Sequence, residues 1–385
     1  MKKIWSLALA ACFMILSIAG SSVAAELDDY AGIPKGKWVI GFANDMTGNA
    51  WRGQHVAAFK EEAELMKKAG LISKYYISNV DGAAATISGL SDFVAKGVDA
   101  ICSTATGPAY NSIFQEALDE GIVITTLASA GIKIKPDTKM VLLNNENDEL
   151  MRAPMEYLSY KMGYKGEIIH LYGLEGGWEG GEVRKAVVRE MAANYNMKIV
   201  ADAPCTWLNS KAYETLTSLL SAHGPAYGGK GILVAGEDVG LGIMQAYQAA
   251  KIPFPNIIGD YTYGFLREWA KHPDLVAVGN LYPPSISRSS LHAAVLMLNG
   301  YKLDPKKANA LGSLHSITSP MPYMIVNEKK LTGKEPWLKN IKSTTKIRLL
   351  KDVIAEGEAN RYLDSHCADG WLTTKELLDM YYVKK

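Results

Sequence analysis

From Trp38 onward, short apolar runs alternate with longer stretches in which apolar side chains recur every third or fourth position. The runs fit strands buried on both faces, and the longer spacing fits helices with one buried face. The first run, Trp38-Val39-Ile40-Gly41-Phe42, breaks into polar and glycine-containing residues and then enters a helical pattern of Val56, Phe59, Ala63 and Met66. Further strand patterns lie at Tyr75–Val80, Val98–Ser103, Ile122–Leu127 and Met140–Leu143, with helices marked by Ile87, Leu90 and Val94 and by Ile113, Phe114, Ala117 and Leu118. After Asn147 the rhythm restarts. A helix over Leu150–Met162 leads to strands at Glu167–Tyr172, Lys198–Ala203, Gly231–Ala235, Asn256–Gly259 and Ala277–Asn280, with helices at Val183–Asn194, Tyr213–Ala222 and Gly242–Ala250 between them. Each connection is long enough for a right-handed crossover, so the pattern predicts an α/β fold of two halves with parallel sheets. Two such halves facing one cleft form a hinged clamp.

In an open parallel sheet, ligands bind beyond the carboxyl ends of the strands. The loop leaving the first strand offers Asn44, Asp45, Asn49, Trp51 and Arg52. An amide, an indole and a guanidinium suit a small polyhydroxylated molecule, because the ring stacks on C–H faces while the polar groups take hydroxyls. The plainer alternative is that Trp51 packs the helix onto the sheet and Arg52 is solvated.

Residues 1–25 stand apart from this pattern. Lys2 and Lys3 precede an apolar run from Ile4 to Gly20, and Val23-Ala24-Ala25 supplies small residues where a signal peptidase cuts, which predicts an exported protein. A lipid anchor at Cys12, in Leu9-Ala10-Ala11-Cys12, is disfavoured because the apolar run continues past the cysteine through Leu16. The formal charge of +1 includes two lysines of this leader and no acids, so the mature chain carries about −1. That balance, without a basic patch, excludes a nucleic-acid partner. Cys102, Cys205 and Cys367 remain, with no CxxC pair to suggest a metal. Cys102 reads as a core residue, which leaves Cys205 and Cys367 as the candidate disulfide in an oxidising compartment.

Catalytic motifs are missing. The glycines at Gly176-Gly177-Trp178-Glu179-Gly180-Gly181 lie where a phosphate loop would, but the spacing matches neither dinucleotide nor P-loop chemistry. The seven histidines are scattered. No cofactor, metal or enzymatic activity is expected.

The signal peptide, the stretch Ile40–Gln54 (IGFANDMTGNAWRGQ), Asn79-Val80-Asp81-Gly82 ahead of a helix, the phrase FVAKGVDAI at Phe93–Ile101 and Glu116–Ile122 resemble the type I periplasmic sugar-binding proteins, relatives of the ribose- and galactofuranose-binding proteins. The resemblance runs from about Trp38 to Asn327. It implies an importer's solute-binding protein, a Venus-flytrap of two lobes, which binds a monosaccharide or polyol without cofactor and delivers it as a monomer to an ABC permease. It implies Asn49, Trp51 and Arg52 as ligand residues in the first loop, Ser103 after the third strand, and Ser129 after the fourth. There Leu127-Ala128-Ser129 replaces the family's Leu-Asp-Arg, so two charge-assisted contacts are gone. In the second half it implies Arg184, Trp207, Glu237 or Asp238, Asp260 or Tyr261, and Asn280, with Trp178 as a further aromatic wall.

The lobes expected are 38–143 with 281–319, and 144–280 with 320–385, the latter carrying a helical tail beyond the family pattern. The chain then crosses near Asn144, Asn280 and Pro320–Pro322. Two other readings stay open: a nucleoside, furanone-like signal or aromatic metabolite as ligand, and a sensor that docks on a kinase or chemoreceptor.

Overall fold

The computed structural model describes residues 30, 32–105, 107–127, 131–135, 138–173, 179–224, 231–234, 239–280, 282–311, 314–320, 323–367 and 370–383. The leader, with Cys12, lies outside them. The apolar runs form β1 (Trp38–Asn44), β2 (Ile72–Asn79), β3 (Ala100–Ser103), β4 (Val123–Leu127) and β5 (Met140–Asn145), joined by α1 (Ala50–Ala69), α2 (Ala83–Ala95) and α3 (Asn111–Asp119). A second series comprises α4 (Asn147–Lys161), β6 (Gly166–Tyr172), α5 (Glu179–Asn194), β7 (Met197–Pro204), α6 (Asn209–His223), β8 (Gly231–Val234), α7 (Gly240–Ala250), β9 (Asn256–Gly259), α8 (Tyr263–Ala270) and β10 (Ala277–Gly279). Then come α9 (Ile286–Leu298), β11 (Lys302–Leu303), β12 (Asn309–Leu311), β13 (Leu314–Ser319), β14 (Met324–Val326), β15 (Ile347–Leu349), α10 (Leu350–Asn360), α11 (Thr374–Met380) and β16 (Tyr382–Val383).

The strands order one sheet as β12-β13-β5-β4-β3-β1-β2 and the other as β15-β14-β10-β9-β8-β6-β7. Five strands of each repeat one order, and all of these pairs are parallel. Such strands are covered on both faces, which is why β3 and β4 are buried at every position. Phe42, Phe59 and Leu143 fill one face of the first sheet and Ala43, Ile101 and Phe114 the other. The sixth position differs, since β13 runs parallel to β5 whereas β14 runs antiparallel to β10.

The chain passes to the second sheet after β5, returns after β10 to form α9, and passes over again between β13 and β14. Hydrogen bonds tie these crossings into one knot. Glu146 N donates to Ser319 O at 3.1 Å, and Leu150 N donates to Glu146 O at 2.8 Å. Pro154 lies inside α4 and has no N–H, so the carbonyl of Leu150 loses its helical donor. Asn280 Nδ2, just past β10, donates to that carbonyl instead.

The tail divides between the two sheets, where the sequence reading kept all of 320–385 with the second lobe. Trp337 is buried edge-on against Tyr157 of α4, β15 pairs with β14, and α10 packs on α8. Past Cys367 the chain lies on the first sheet's helices. Leu372 N donates to Ser289 Oγ at 2.7 Å, β16 pairs with β11, and Tyr381 donates to Thr318 O at 2.7 Å. The reason is a buried ionic cluster. Glu62 on α1 is 3% exposed and accepts from Arg288 at 2.9 Å, from His292 Nε2 at 2.9 Å and from Tyr30, while His292 Nδ1 pairs with Thr374 at the start of α11.

The candidate disulfide does not form: Cys205 and Cys367 are both buried and neither is in a disulfide. Cys367 bridges to Thr262, just past β9, and Cys205 follows β7. Strands β8 and β6 lie between, so the two positions are roughly three strand spacings or about 14 Å apart, against the about 7 Å that a disulfide spans. Thiol titration of the denatured, unreduced protein should therefore count both cysteines; their absence from the count would show that they pair in solution.

Burial alone would raise the Glu62 carboxyl pKa, but the bonds from His292 and Tyr30 and the charge of Arg288 outweigh it and hold it down to about 2. A depressed carboxylate contributes stability that is complete above its ordinary 4.5 and lost as pH falls towards 2. Glu62→Gln should cost about 3 kcal/mol at pH 7 and flatten the acid-side decline, read by urea denaturation across pH. Parallel declines in variant and wild type would remove Glu62 from that account.

Candidate functional site

The carboxyl ends of β1 and β3–β5 in one sheet, and of β6–β10 in the other, carry most of the residues singled out above. On the first side, Asn49 caps the start of α1: its Oδ1 accepts from Arg52 N at 2.8 Å and satisfies a helix-start N–H. The Arg52 guanidinium turns back along the loop, donating to Asp45 Oδ1 at 3.0 Å and Asn44 Oδ1 at 3.0 Å. Thr104 adds a 2.8 Å bond to the same Asp45 oxygen. Ser103 accepts from Ala105 N at 2.9 Å. These groups hold the loop ends of β1 and β3 together.

Trp51 is buried and reaches the second crossing, where its Nε1 donates to Tyr282 O at 2.6 Å. Its ring stacks on His55, with centroids 4.5 Å apart and planes at 15°. Burial, with the positive Arg52 nearby, lowers the His55 pKa to about 3, so the ring is neutral at pH 7 and Nδ1 donates to Pro284 O at 2.6 Å. One face of the indole and its N–H are thus engaged within the protein.

On the second side, Arg184 of α5 is 1% exposed. Its Nε donates to Asn147 Oδ1 at 3.0 Å, and its guanidinium lies 5.4 Å from the centroid of the Tyr282 ring. Asn147 Nδ2 in turn donates to Asn144 Oδ1 at 2.6 Å. Tyr282 therefore stands between Trp51 from one side and Arg184 from the other. Trp207, with φ 55°, is held in the left-handed region, and Gly173 makes room for its indole: a Cβ there would lie 1.8 Å from the ring.

Asp260 is fully buried. Its Oδ2 accepts from Gly240 N at 2.7 Å, and its Oδ1 accepts from Thr262 N at 2.8 Å and Thr262 Oγ1 at 2.6 Å. Burial pushes its carboxyl pKa up against the pull of those donors. It closes the start of α7. Tyr261 is buried edge-on to Tyr323 at 5.3 Å, and its hydroxyl meets no partner among the described residues. Asn280 binds the Leu150 carbonyl, as described above. Ser129, Trp178, Glu237 and Asp238 lie outside the described residues.

The arrangement brings Trp51, Arg184 and Asn280 to the junction of the sheets, whereas Asn49, Arg52, Ser103 and Asp260 are engaged in local bonds. Sequence reasoning passed over Tyr282, Asn145, Asn147 and Ser319. The run Asn144-Asn145-Glu146-Asn147 directly after an apolar strand is the signal that marks the first of these crossings. Among the described residues, no group of His, Cys, Asp and Glu could hold a metal ion, and no helix is long and apolar enough to cross a membrane.

Comparison with known proteins gives one family whose model matches, the periplasmic binding protein domain, over residues 40–302. A curated relative, the xylitol-binding protein of Mycolicibacterium smegmatis, is 25% identical over 200 residues, which are 50% of this chain and 54% of that protein. The match thus spans about half the relative's length. Among solved structures, an ABC transporter solute-binding protein from Thermobispora bispora aligns with a TM-score of 0.63 at 21% identity, over 87% of this chain and 99% of that one. The binding component of the arabinose ABC transporter of Shewanella sp. ANA-3, bound to α- and β-L-arabinofuranose, gives 0.64 at 18%, over 84% and 98%. A solute-binding protein from Bacillus halodurans with bound myo-inositol gives 0.63 at 15%, over 84% and 99%. At these identities the structures establish a shared fold.

Removing the Asp260 carboxylate should unfold part of this architecture. Asp260→Ala should lower stability by about 3 kcal/mol in urea denaturation without any ligand present, since three donors lose a buried acceptor. An unchanged midpoint would free Asp260 for a role in binding alone.

Proposed function

We propose, because the chain belongs to the periplasmic binding protein domain family, that it is the extracytoplasmic solute-binding component of an ABC importer and captures a small uncharged polyol or monosaccharide between two closing lobes. The observation that carries this reading is the set of buried side chains where the two sheets meet: Trp51, Tyr282, Arg184, Asn147 and Asn280 converge there from both halves. Aromatic faces with amide and guanidinium donors match the C–H faces and hydroxyls of such a ligand. Relatives carry the same chemistry in their names, one binding xylitol and others holding arabinofuranose or myo-inositol. The first lobe comprises residues 38–143 and 281–319 with the chain past Cys367, and the second comprises 144–280 with the tail up to Cys367. A leader of residues 1–25 exports the chain. It acts as a monomer, binds rather than transforms its ligand, and hands it to a permease.

Closure follows from differential contact. A ligand that bridges both lobes favours the closed state by the contacts it makes only there. Moving such an equilibrium from almost fully open to almost fully closed takes about 5.5 kcal/mol, which a few hydrogen bonds and a stacked ring supply.

The reading is tested by thermal denaturation of the mature protein against pentoses, hexoses, polyols, nucleosides and small aromatic acids. A ligand at a hundred times its dissociation constant adds about 2.7 kcal/mol, so xylitol, arabinose, inositol or a close relative should raise the midpoint by several degrees. A rise only with nucleosides or aromatic acids would overturn the ligand class and keep the fold.

A further inference from the structure

Three polar side chains at the crossings of the chain are buried with hydrogen-bonding atoms that meet no partner among the described residues. Asn145 ends β5; it is 1% exposed, and neither its Oδ1 nor its Nδ2 is bonded. Ser319 ends β13, is 4% exposed, and its Oγ is likewise unbonded. The two are register partners on adjacent parallel strands, which places their side chains on one side of the sheet about 4.8 Å apart. Asn280 is 5% exposed; its Nδ2 is fixed on the Leu150 carbonyl, which leaves Oδ1 as the unbonded atom. The bonds from Leu150 to Glu146 and from Glu146 to Ser319 hold all three in one knot.

Buried amides and hydroxyls are almost always satisfied, and a group of them left open at one place calls for partners from outside the chain. We infer that the knot of crossings is itself part of the binding surface: Asn145 and Ser319 together take two neighbouring hydroxyls of the ligand, and Asn280 Oδ1 accepts from a third. This rests on the polyol reading above and adds to it which groups recognise the ligand. An amide offers one acceptor and one donor side by side, and each hydroxyl of a vicinal diol can donate and accept in return. A carboxylate has no hydrogen to give to Asn145 Oδ1 or Asn280 Oδ1, so this floor favours polyhydroxylated molecules over carboxylates. It also supplies contacts where Leu127-Ala128-Ser129 stands in place of an acid and an arginine. Because the ligand then sits on the segments that turn, occupancy and lobe angle are linked directly.

The test uses the full mature chain, with Asn145→Leu and Ser319→Ala each titrated calorimetrically with xylitol, L-arabinose and myo-inositol beside the wild type. For whichever probe the wild type binds, either substitution should weaken binding at least tenfold. The melting temperature without ligand should hold or rise, because an unsatisfied polar group is replaced by an apolar one. Unchanged affinity in both variants overturns the inference. Weaker binding together with a lower ligand-free melting temperature also overturns it, since the residues would then be holding the fold. A wild type that takes none of the probes overturns the polyol reading and this floor together, whereas a binding wild type with equally binding variants removes only the floor.

Discussion

A hydrogen bond between Asn280 and the carbonyl that Pro154 leaves open in α4 ties the start of the second crossing to the helix that follows the first. Proline inside a helix removes a donor and costs about 3 kcal/mol, so the helix is weak there unless something replaces the bond. The replacement comes from the end of β10, where the chain turns back towards the first sheet. The neighbouring bonds, Leu150 to Glu146 and Glu146 to Ser319, extend the connection to the other two crossings. Each crossing is thereby positioned by the others, and the strand ends of both sheets are brought to one junction.

That junction explains how the aromatic and charged residues are distributed. Trp51 and His55 leave α1 and bind the backbone of Tyr282 and Pro284, so the first helix is anchored on the second crossing. Arg184 comes to the same tyrosine from the other half. Further from the junction, the tail repeats the pattern on the outside of the molecule. Gln54 holds the peptide of Cys367 through two bonds, at 3.0 Å and 2.8 Å, while Cys367 bridges to Thr262 of the second half. The tail thus makes a further passage between the sheets.

Much of the fold was legible because buried parallel strands must be apolar on both faces. Runs such as Val98–Ser103 and Ile122–Leu127 have no other economical reading, and β3 and β4 lie within them. The contacts of the site were less legible, for reasons of distance along the chain. The partner of the Trp51 N–H is 231 residues away. Asp260 looked like a ligand group because it is an acid at a strand end, yet the donors it serves include Gly240, on a helix that precedes its own strand. The cysteine pair failed because a sequence does not state how many strands lie between two strand ends. Asn145 was passed over because the apolar run stops at Leu143, two residues before the strand does.

Charge at the site is largely matched from within. Arg52 has Asp45 at 3.0 Å, the Asp260 carboxylate has three donors, and His55 is neutral. Arg184 is held by an uncharged amide and a tyrosine ring. A buried charge that already has its partner gains little from a charged ligand, because stripping the ligand of water costs more than a second, shared contact returns. An uncharged molecule with many hydroxyls avoids that cost and meets amides and hydroxyls that lack partners. On the proposed reading, recognition by neutral groups at the crossings needs no ion pair, in keeping with Leu127-Ala128-Ser129 after β4. The proposed floor puts the discriminating contacts where the chain bends rather than on the walls that close, so that affinity and closure draw on the same bonds.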